Sequence, residues 1–158
     1  IQYLLRISNL MSGYPVAVEF RNSTWYGEEI TEDVAGYLKE LGMTMVAVDE
    51  PHTTNAGVPF EPIVTNENLA LLRLHGRNVK GWTEHSADWR SKRTLYRYSQ
   101  DELQEFAKVV SDLDQQANEV CIIFNNNSGG DAADNALQLK KIMGIDFGGL
   151  SPVQMDLF

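Results

Sequence analysis

The sequence LALLRLH, at residues 69–75, is a short apolar run that ends in polar side chains. Three other segments have the same form: VAVEF at residues 16–20, MVAVD at residues 45–49 and VCIIFNN at residues 120–126. Runs of this length, rich in aliphatic and β-branched residues, are typical of strands that are buried on both faces of a parallel sheet. The chain is therefore predicted to form four parallel strands.

Helical patterns lie before, between and after the predicted strands. One is expected at residues 1–11, a second at residues 31–41, a third that begins at Ser99, and a fourth that contains residues 132–143. The third has the sequence of a capping box, because Glu102 follows Ser99 by three residues. Three prolines make the segment after the second strand a loop without a helix. The alternation of strands and helices predicts an α/β fold.

The number of strand–helix units indicates half of a larger fold. A (β/α)8 barrel has eight such units and usually about 250 residues, whereas no glycine-rich loop after the first strand marks a doubly wound nucleotide-binding fold. The chain starts at Ile1 rather than at Met, and the first helix has no strand before it. We therefore expect residues 1–158 to be part of a single domain, the C-terminal half of a TIM-like barrel with outer helices. The N-terminal half, or a second copy of the chain, is the expected partner.

Composition argues against several classes of protein. With 13 basic and 22 acidic residues the formal net charge is −9, which argues against general affinity for nucleic acid or anionic lipid. No apolar run approaches the roughly 20 residues of a membrane span, and no secretory signal is present. The single cysteine, Cys121, lies inside a predicted strand, so one chain cannot form a disulfide framework or a Cys-based zinc site. A cytoplasmic location is expected.

The segment from Arg73 to Arg97 differs from the rest of this acidic chain. Seven of the thirteen basic residues fall within it, opposed there by Glu84 and Asp88 alone. Four aromatic residues are interleaved with the basic ones or adjacent to them: Trp82, Trp89, Tyr96 and Tyr98. The segment is either an anion-binding surface or a solvated loop whose arginines pair with acidic helices elsewhere.

Polar side chains stand at the carboxyl ends of the predicted strands, the edge where parallel α/β folds bind ligands. The period of two along a strand places Glu19 and Arg21 on one face, and likewise Arg73 and His75. These residues form either a structural arginine–carboxylate bridge or a functional site with an acid–base group and an anion clamp. The candidate catalytic residues are Glu19, Asp49 and His75.

The loop after the fourth strand, NNNSGGDAADNA, opens a predicted helix. Ser128, Gly129 and Gly130 free the backbone to direct N–H groups at an anion, and the helix dipole adds to this effect. Alternatively, Asp131 caps the helix and occupies the place of the anion. No lysine follows the glycines as in a Walker loop. The candidate substrate-binding residues are Arg21, Arg73, Arg77, Asn125, Asn126, Gly129 and Gly130.

No cofactor and no metal are predicted. Glu19, Asp49 and His75 have donor atoms suited to zinc or manganese. However, Arg21 and Arg73 would lie beside them and oppose another cation, and no HExxH or paired-histidine spacing occurs. The sequence also lacks a dinucleotide fingerprint, which makes a hydrolase or lyase more natural than a redox enzyme.

Several motifs occur in a familiar order: VEFRNSTW, the strand that contains Asp49, LLRLHGRN, YRYSQDEL and FNNNSGGDAADNALQL. With the closing PVQMDLF they make the chain, from about residue 16 to residue 158, similar to the YecE-like family, the "domain of unknown function 72" proteins. The resemblance implies a TIM-like barrel of which this chain is the C-terminal half. It implies no activity, because none is established for that family.

The leading hypothesis is an enzyme, or a former enzyme, with a small anionic substrate such as a phosphorylated sugar or nucleotide. The alternative is a non-catalytic module that binds single-stranded nucleic acid through Trp82, Trp89 and Arg90 by stacking and charge. A structural adaptor is the third possibility. Substitution of His75 and Glu19 should abolish turnover under the first hypothesis and spare binding under the second.

Overall fold

The computed structural model describes residues 2–53, 57–84 and 88–146, without the side chain of Arg90. The closing motif PVQMDLF lies outside the described residues. The elements, in chain order, are α1 (Gln2–Leu10), β1 (Ala17–Val18), a 3-10 helix (Ser23–Trp25), α2 (Glu28–Glu40), β2 (Thr44–Asp49), β3 (Ala70–Leu74), α3 (Val79–Thr83), α4 (Trp89–Arg93), α5 (Gln100–Asp114), β4 (Val120–Phe124) and α6 (Asp131–Ile142).

The four predicted strands form one parallel sheet in the order β1-β2-β3-β4. The first is shorter than predicted, because only Ala17 and Val18 pair with β2. The α/β prediction is thus confirmed, and the sheet brings the carboxyl ends of all four strands to one edge.

Local sequence signals set the helix boundaries. The Ser99 side chain accepts a hydrogen bond from the Glu102 backbone, and the Glu102 side chain accepts one from the Ser99 backbone, so the predicted capping box is confirmed. Gly130, with φ +80°, is the N-cap of α6, and no side chain caps that helix. Asp131 therefore does not act as the cap. The short helices α3 and α4 were not predicted, since the basic segment shows no helical periodicity.

Helices cover one face of the sheet, here called the helix face. Leu72 and Leu74 of β3 are fully buried there, in one cluster with Phe106 of α5 and Leu139 of α6. A second cluster, around Leu38, packs α2 against β1 and β2. Each such side chain contributes about 1.5–3 kcal/mol of burial free energy, so this face supplies most of the core.

The opposite face, here called the open face, carries the alternate residues of each strand. Register pairs Val46 with Leu71 and Val48 with Arg73 on this face. Val58, from the loop after β2, packs on the two valines, whereas Ile123 of β4 is 39% exposed. Polar residues that extend β1, β3 and β4 beyond their last paired residues continue this face to the carboxyl edge.

The first helix forms as predicted and contributes little to the core. None of the residues of α1 is buried, and Leu4 alone among them joins the cluster around Leu38, as a partly buried member. None of the helices in the three described ranges has the length and apolarity that a membrane span requires.

Candidate functional site

Six polar residues meet on the open face at the carboxyl edge and are called the open-face cluster: Glu19, Arg21, Glu50, Arg73, His75 and Asn125. Arg73 Nη1 donates to Glu19 Oε2 at 2.5 Å, and its Nε and Nη2 donate to Asn125 Oδ1 at 3.1 and 3.0 Å. Arg21 Nη1 donates to the other Glu19 oxygen at 2.7 Å. The expectation that Glu19, Arg21, Arg73, His75 and Asn125 share a face is confirmed.

Glu19 is the central anion of this cluster. Partial burial acts to raise its pKa, but the neighbouring His75 and two arginines outweigh burial and lower the pKa to about 2. Glu19 is therefore ionised at any physiological pH. Its two oxygens each bind a different guanidinium group, which fixes both arginines relative to the sheet.

His75 lies with Nε2 at 2.9 Å from Arg21 Nη1 and at 3.6 Å from Glu19 Oε1. The longer distance exceeds that of a hydrogen bond. The tautomer sets the role of Nε2: with the ring proton on Nδ1 it accepts from Arg21, and with the proton on Nε2 it points an N–H toward Glu19. His75 therefore faces both charged groups of the cluster through one nitrogen, the atom available for proton exchange.

Glu50 is a member that the sequence reasoning missed. Its Oε1 accepts from the Val58 backbone at 3.0 Å, and its Oε2 lies 2.8 Å from Arg21 Nη2 without the alignment of a hydrogen bond. Burial raises its pKa to about 7, against the opposing effect of Arg21. The alternation groups residue 50 with residues 46 and 48, but it does not tell which face of the sheet the three residues occupy.

An arginine–tryptophan stack adjoins Arg21. The Arg93 guanidinium lies 4.4 Å from the ring centroid of Trp82 and 4.2 Å from that of Trp89, and Arg21 lies 5.4 Å from that of Trp82. Trp82 is only 9% exposed. Because it is buried, Trp82 is not an open platform for a stacked base, and the side chain of Arg90 lies outside the described residues.

Asp49 does not belong to the open-face cluster, so the expectation that it joins Glu19 and His75 is wrong. Register pairs it with Leu74, whose side chain is in the core of the helix face. There Asp49 accepts from Arg77 Nε at 2.9 Å and from the Tyr98 hydroxyl at 2.6 Å.

These residues form a second group at the carboxyl edge, called the helix-face cluster: Asp49, Arg77, Tyr96, Tyr98 and Glu102. Arg77 Nη1 donates to Glu102 at 3.1 Å, as does the Tyr96 hydroxyl at 2.7 Å. The Tyr98 hydroxyl also accepts from the Gly76 backbone at 2.8 Å. Burial and the nearby Asp49 charge raise the pKa of Tyr98, which keeps its hydroxyl protonated.

In the fourth loop Asn125 contacts Arg73, whereas the contacts of Asn126, Gly129 and Asp131 are with other residues. Asn126 is fully buried and donates to Asn135 and to the Tyr96 carbonyl. Gly129 lies against Leu95 and Asp131, and Asp131 pairs with Arg97. Because Arg73 is on the open face and Arg77 on the helix face, the structure does not bring the two to one ligand.

Much of the basic segment is paired with acidic residues. Besides Arg73 and Arg77, Lys92 pairs with Glu84 at 2.6 Å, and Arg97 pairs with the two aspartates of the first turn of α6. For these residues the contacts favour the second interpretation, a loop whose basic side chains pair with acidic residues, over an anion-binding surface. Within the described ranges, no three His, Cys, Asp or Glu side chains are grouped so as to hold a metal ion.

A sequence profile described as "Protein of unknown function DUF72" matches residues 1–156. The chain belongs to the DUF72 family. This confirms the resemblance that the ordered motifs indicate.

Named relatives and solved structures agree with the DUF72 assignment. The chain is 41% identical over 160 residues to the UPF0759 protein YunF of Bacillus subtilis strain 168, covering 100% of the chain and 57% of YunF. A crystal structure of a DUF72 family protein from Enterococcus faecalis V583 is 44% identical with a TM-score of 0.92, covering 98% of this chain and 56% of that one. A DUF72 structure from Thermotoga maritima MSB8 is 36% identical with a TM-score of 0.77, covering 90% and 51%. This DUF72 chain thus spans little more than half the length of these relatives.

Proposed function

We propose that this DUF72 chain is the C-terminal half of a TIM-like barrel. The support is the all-parallel sheet with its helices on one face and the coverage of 51–57% of longer relatives. The N-terminal half, or a second copy of this chain, would then lie against the open face, because an apolar face and two strand edges invite association. Sedimentation should show the isolated chain associating. A monomer that melts cooperatively would count against the half-barrel.

We further propose that the open-face cluster is the active site of a hydrolase or lyase that acts on a small anionic or phosphorylated substrate. The observation that carries this is that Arg21 bridges two carboxyl groups with opposite pKa shifts, Glu19 at about 2 and Glu50 at about 7. A pair of titratable groups driven apart in this way separates an ionised group from a proton donor. Such a pair at the carboxyl edge of a parallel sheet is a candidate active site.

Each member of the cluster then has a chemical role. Glu19, ionised and held by two guanidinium groups, positions Arg21 and Arg73 for an anion. His75, whose Nε2 faces the cluster, is the general base, and Glu50, whose pKa of about 7 keeps it partly protonated at neutral pH, is the general acid. Asp49 has a structural role in this scheme, because its carboxylate is bound on the other face of the sheet.

Turnover and ligand binding by the full-length protein test this function together. Sugar phosphates and other phosphate monoesters are assayed for hydrolysis and elimination, with wild type, His75→Asn and Glu19→Gln compared. Both variants should abolish turnover, and Glu19→Gln should also weaken anion binding. Gln115→Ala, a change at an exposed residue beyond the end of α5, is the control. If no phosphate ester or carboxylate binds at millimolar concentration, the cluster is a structural bridge across the strand ends.

A further inference from the structure

Three buried polar atoms near Arg21 have no hydrogen-bond partner among the described residues: Trp82 Nε1, Arg93 Nε and Glu50 Oε2. A fourth such atom, Asn126 Oδ1, lies away from them on the helix face. Nearly all buried polar groups in native proteins are paired. Three such atoms on neighbouring side chains indicate a partner that the described residues do not supply.

Arg21 and the Trp82 ring link these three residues. Arg93 and Arg21 both lie over the Trp82 ring, at 4.4 and 5.4 Å, and Arg21 Nη2 lies 2.8 Å from the unpaired Glu50 oxygen. The Trp82 residue is 9% exposed and the Glu50 side chain 1% exposed. Atoms so buried are not hydrated by bulk water. Glu50 Oε2 is compensated by its ion pair with Arg21, whereas the N–H groups of Trp82 and Arg93 lack an acceptor among the described residues, which costs free energy unless a ligand accepts from them.

We propose that the phosphate group of a phosphate monoester binds between Trp82, Arg93, Arg21 and Glu50. This rests on the proposed function, since it names the substrate class of the same site. The indole and guanidinium N–H groups donate to two oxygens, and Arg21 and a protonated Glu50 donate to the third. A carboxylate has only two oxygens and a flat shape, whereas a phosphate monoester offers three terminal oxygens in a tetrahedral arrangement.

The charge of the site matches such a ligand. Arg21, Arg73 and Arg93 carry three positive charges and Glu19 one negative charge, a net of +2 when Glu50 is protonated. A phosphate monoester carries about −1.5 to −2 at neutral pH. With Glu50 ionised the net falls to +1 and the carboxylate faces the ligand directly. Anion binding is therefore coupled to proton uptake by Glu50.

Groups from several elements surround Glu50 and act on its protonation. Arg21 and Arg93 favour the ionised carboxylate, as does the Val58 backbone N–H. Glu19 opposes ionisation, and Tyr26 is close enough for Glu50 to raise its pKa. A bound dianion, like Glu19, opposes ionisation of Glu50, so it shifts Glu50 toward the protonated form.

Isothermal titration calorimetry with sulfate tests the proposal, because sulfate is a tetrahedral dianion that does not itself titrate near neutral pH. The folded protein is titrated in two buffers of different ionisation enthalpy, slightly above the pH at which Glu50 is half ionised, and the difference gives the protons taken up. We expect uptake of a large fraction of one proton. Acetate should bind at least about tenfold more weakly than sulfate, since it leaves one donor unpaired.

Conservative variants locate the site. Trp82→Phe keeps the ring and removes the N–H, and Arg93→Lys keeps the charge and removes Nε–H, so each should weaken sulfate binding by about tenfold or more. Glu50→Gln should still bind sulfate, without proton uptake. Trp25→Phe and Arg97→Lys make the same chemical changes outside the site and should change neither quantity.

The outcomes separate the two proposals. If Trp82→Phe and Arg93→Lys bind sulfate as tightly as wild type while Arg73→Lys binds it more weakly, the phosphate site is wrong and the proposed function stands. If acetate binds as tightly as sulfate, or if Glu50→Gln takes up the same number of protons as wild type, the phosphate site is also wrong. If neither sulfate nor any phosphate ester binds, both proposals fail.

Discussion

The open-face and helix-face clusters contain the same kinds of residue at the same edge of the sheet, yet they differ in how they are satisfied. In the helix-face cluster every ionised or hydroxyl group has a partner, as with Asp49, which is bound by Arg77 and Tyr98. In the open-face cluster and its neighbours, buried atoms of Glu50, Trp82 and Arg93 have no hydrogen-bond partner among the described residues. The comparison shows that the presence of partners, rather than residue type, distinguishes a structural network from a candidate ligand site.

The largest expected effect on stability is from Asp49→Asn in the helix-face cluster. The amide cannot neutralise Arg77, which then keeps Glu102 alone as a carboxylate partner among the described residues, so the free energy of unfolding should fall by about 2–4 kcal/mol. Urea denaturation monitored by circular dichroism measures the change. Asp131→Asn, the same substitution in the surface pair with Arg97, is the control and should cost less than about 1 kcal/mol. Equal losses would remove the distinction between a buried network and a surface pair.

Glu19→Gln should reduce stability at neutral pH by about 2–3 kcal/mol, because the folded state holds the pKa of Glu19 at about 2. A lowered pKa contributes stability that is present above the unfolded value near 4.5 and is lost as the pH falls through about 2. The difference between variant and wild type should therefore disappear in acid. Denaturant unfolding across this pH range gives the measurement, and a difference that is independent of pH would contradict the ionised state of Glu19.

Glu50→Gln should change the free energy of unfolding in the opposite direction, making the protein more stable. Burial raises the pKa of Glu50 from 4.5 to about 7, so its contribution to stability is present below 4.5 and lost as the pH rises through about 7. Glutamine resembles the protonated acid. The variant should match wild type in mild acid and exceed it by about 1–3 kcal/mol above neutral pH. Denaturant unfolding across the same pH range measures this difference. A variant that is less stable than wild type above neutral pH would show that the Glu50 charge is well compensated.

The smallest effect is expected from Tyr98→Phe, which keeps the ring contact with Phe106 and removes only the hydroxyl. The Gly76 N–H then loses its acceptor, and a loss of about 1–2 kcal/mol is expected. Thermal unfolding measures it, and hydrogen exchange at the Gly76 amide should accelerate. Tyr14→Phe, at a residue 71% exposed, is the control. Unchanged exchange at Gly76 would mean that the turn after His75 does not depend on this network.

Much of the fold and part of the site could be predicted because their signals are local. The apolar runs and the Ser99–Glu102 capping box depend on neighbours within a few residues, and both were correctly located. The period of two also placed Glu19 with Arg21, and Arg73 with His75, on shared faces. Asp49 was misplaced because its face depends on where its own strand stands relative to the others, and apolar runs buried on both faces carry no sign of which face a residue takes.

The sequence by itself determined the four strands, the helices α2, α5 and α6, the family and the polar character of the carboxyl edge, because these follow from backbone periodicity and ordered motifs. Only the tertiary structure decided that Glu50 joins the open face while Asp49 joins Arg77 and Tyr98 on the other. It alone brought Trp82, Arg93 and Arg21 together from three separate segments. The physical reason is that strand register and the packing of α3 and α4 bring distant side chains within a few ångströms, and no local pattern encodes those distances.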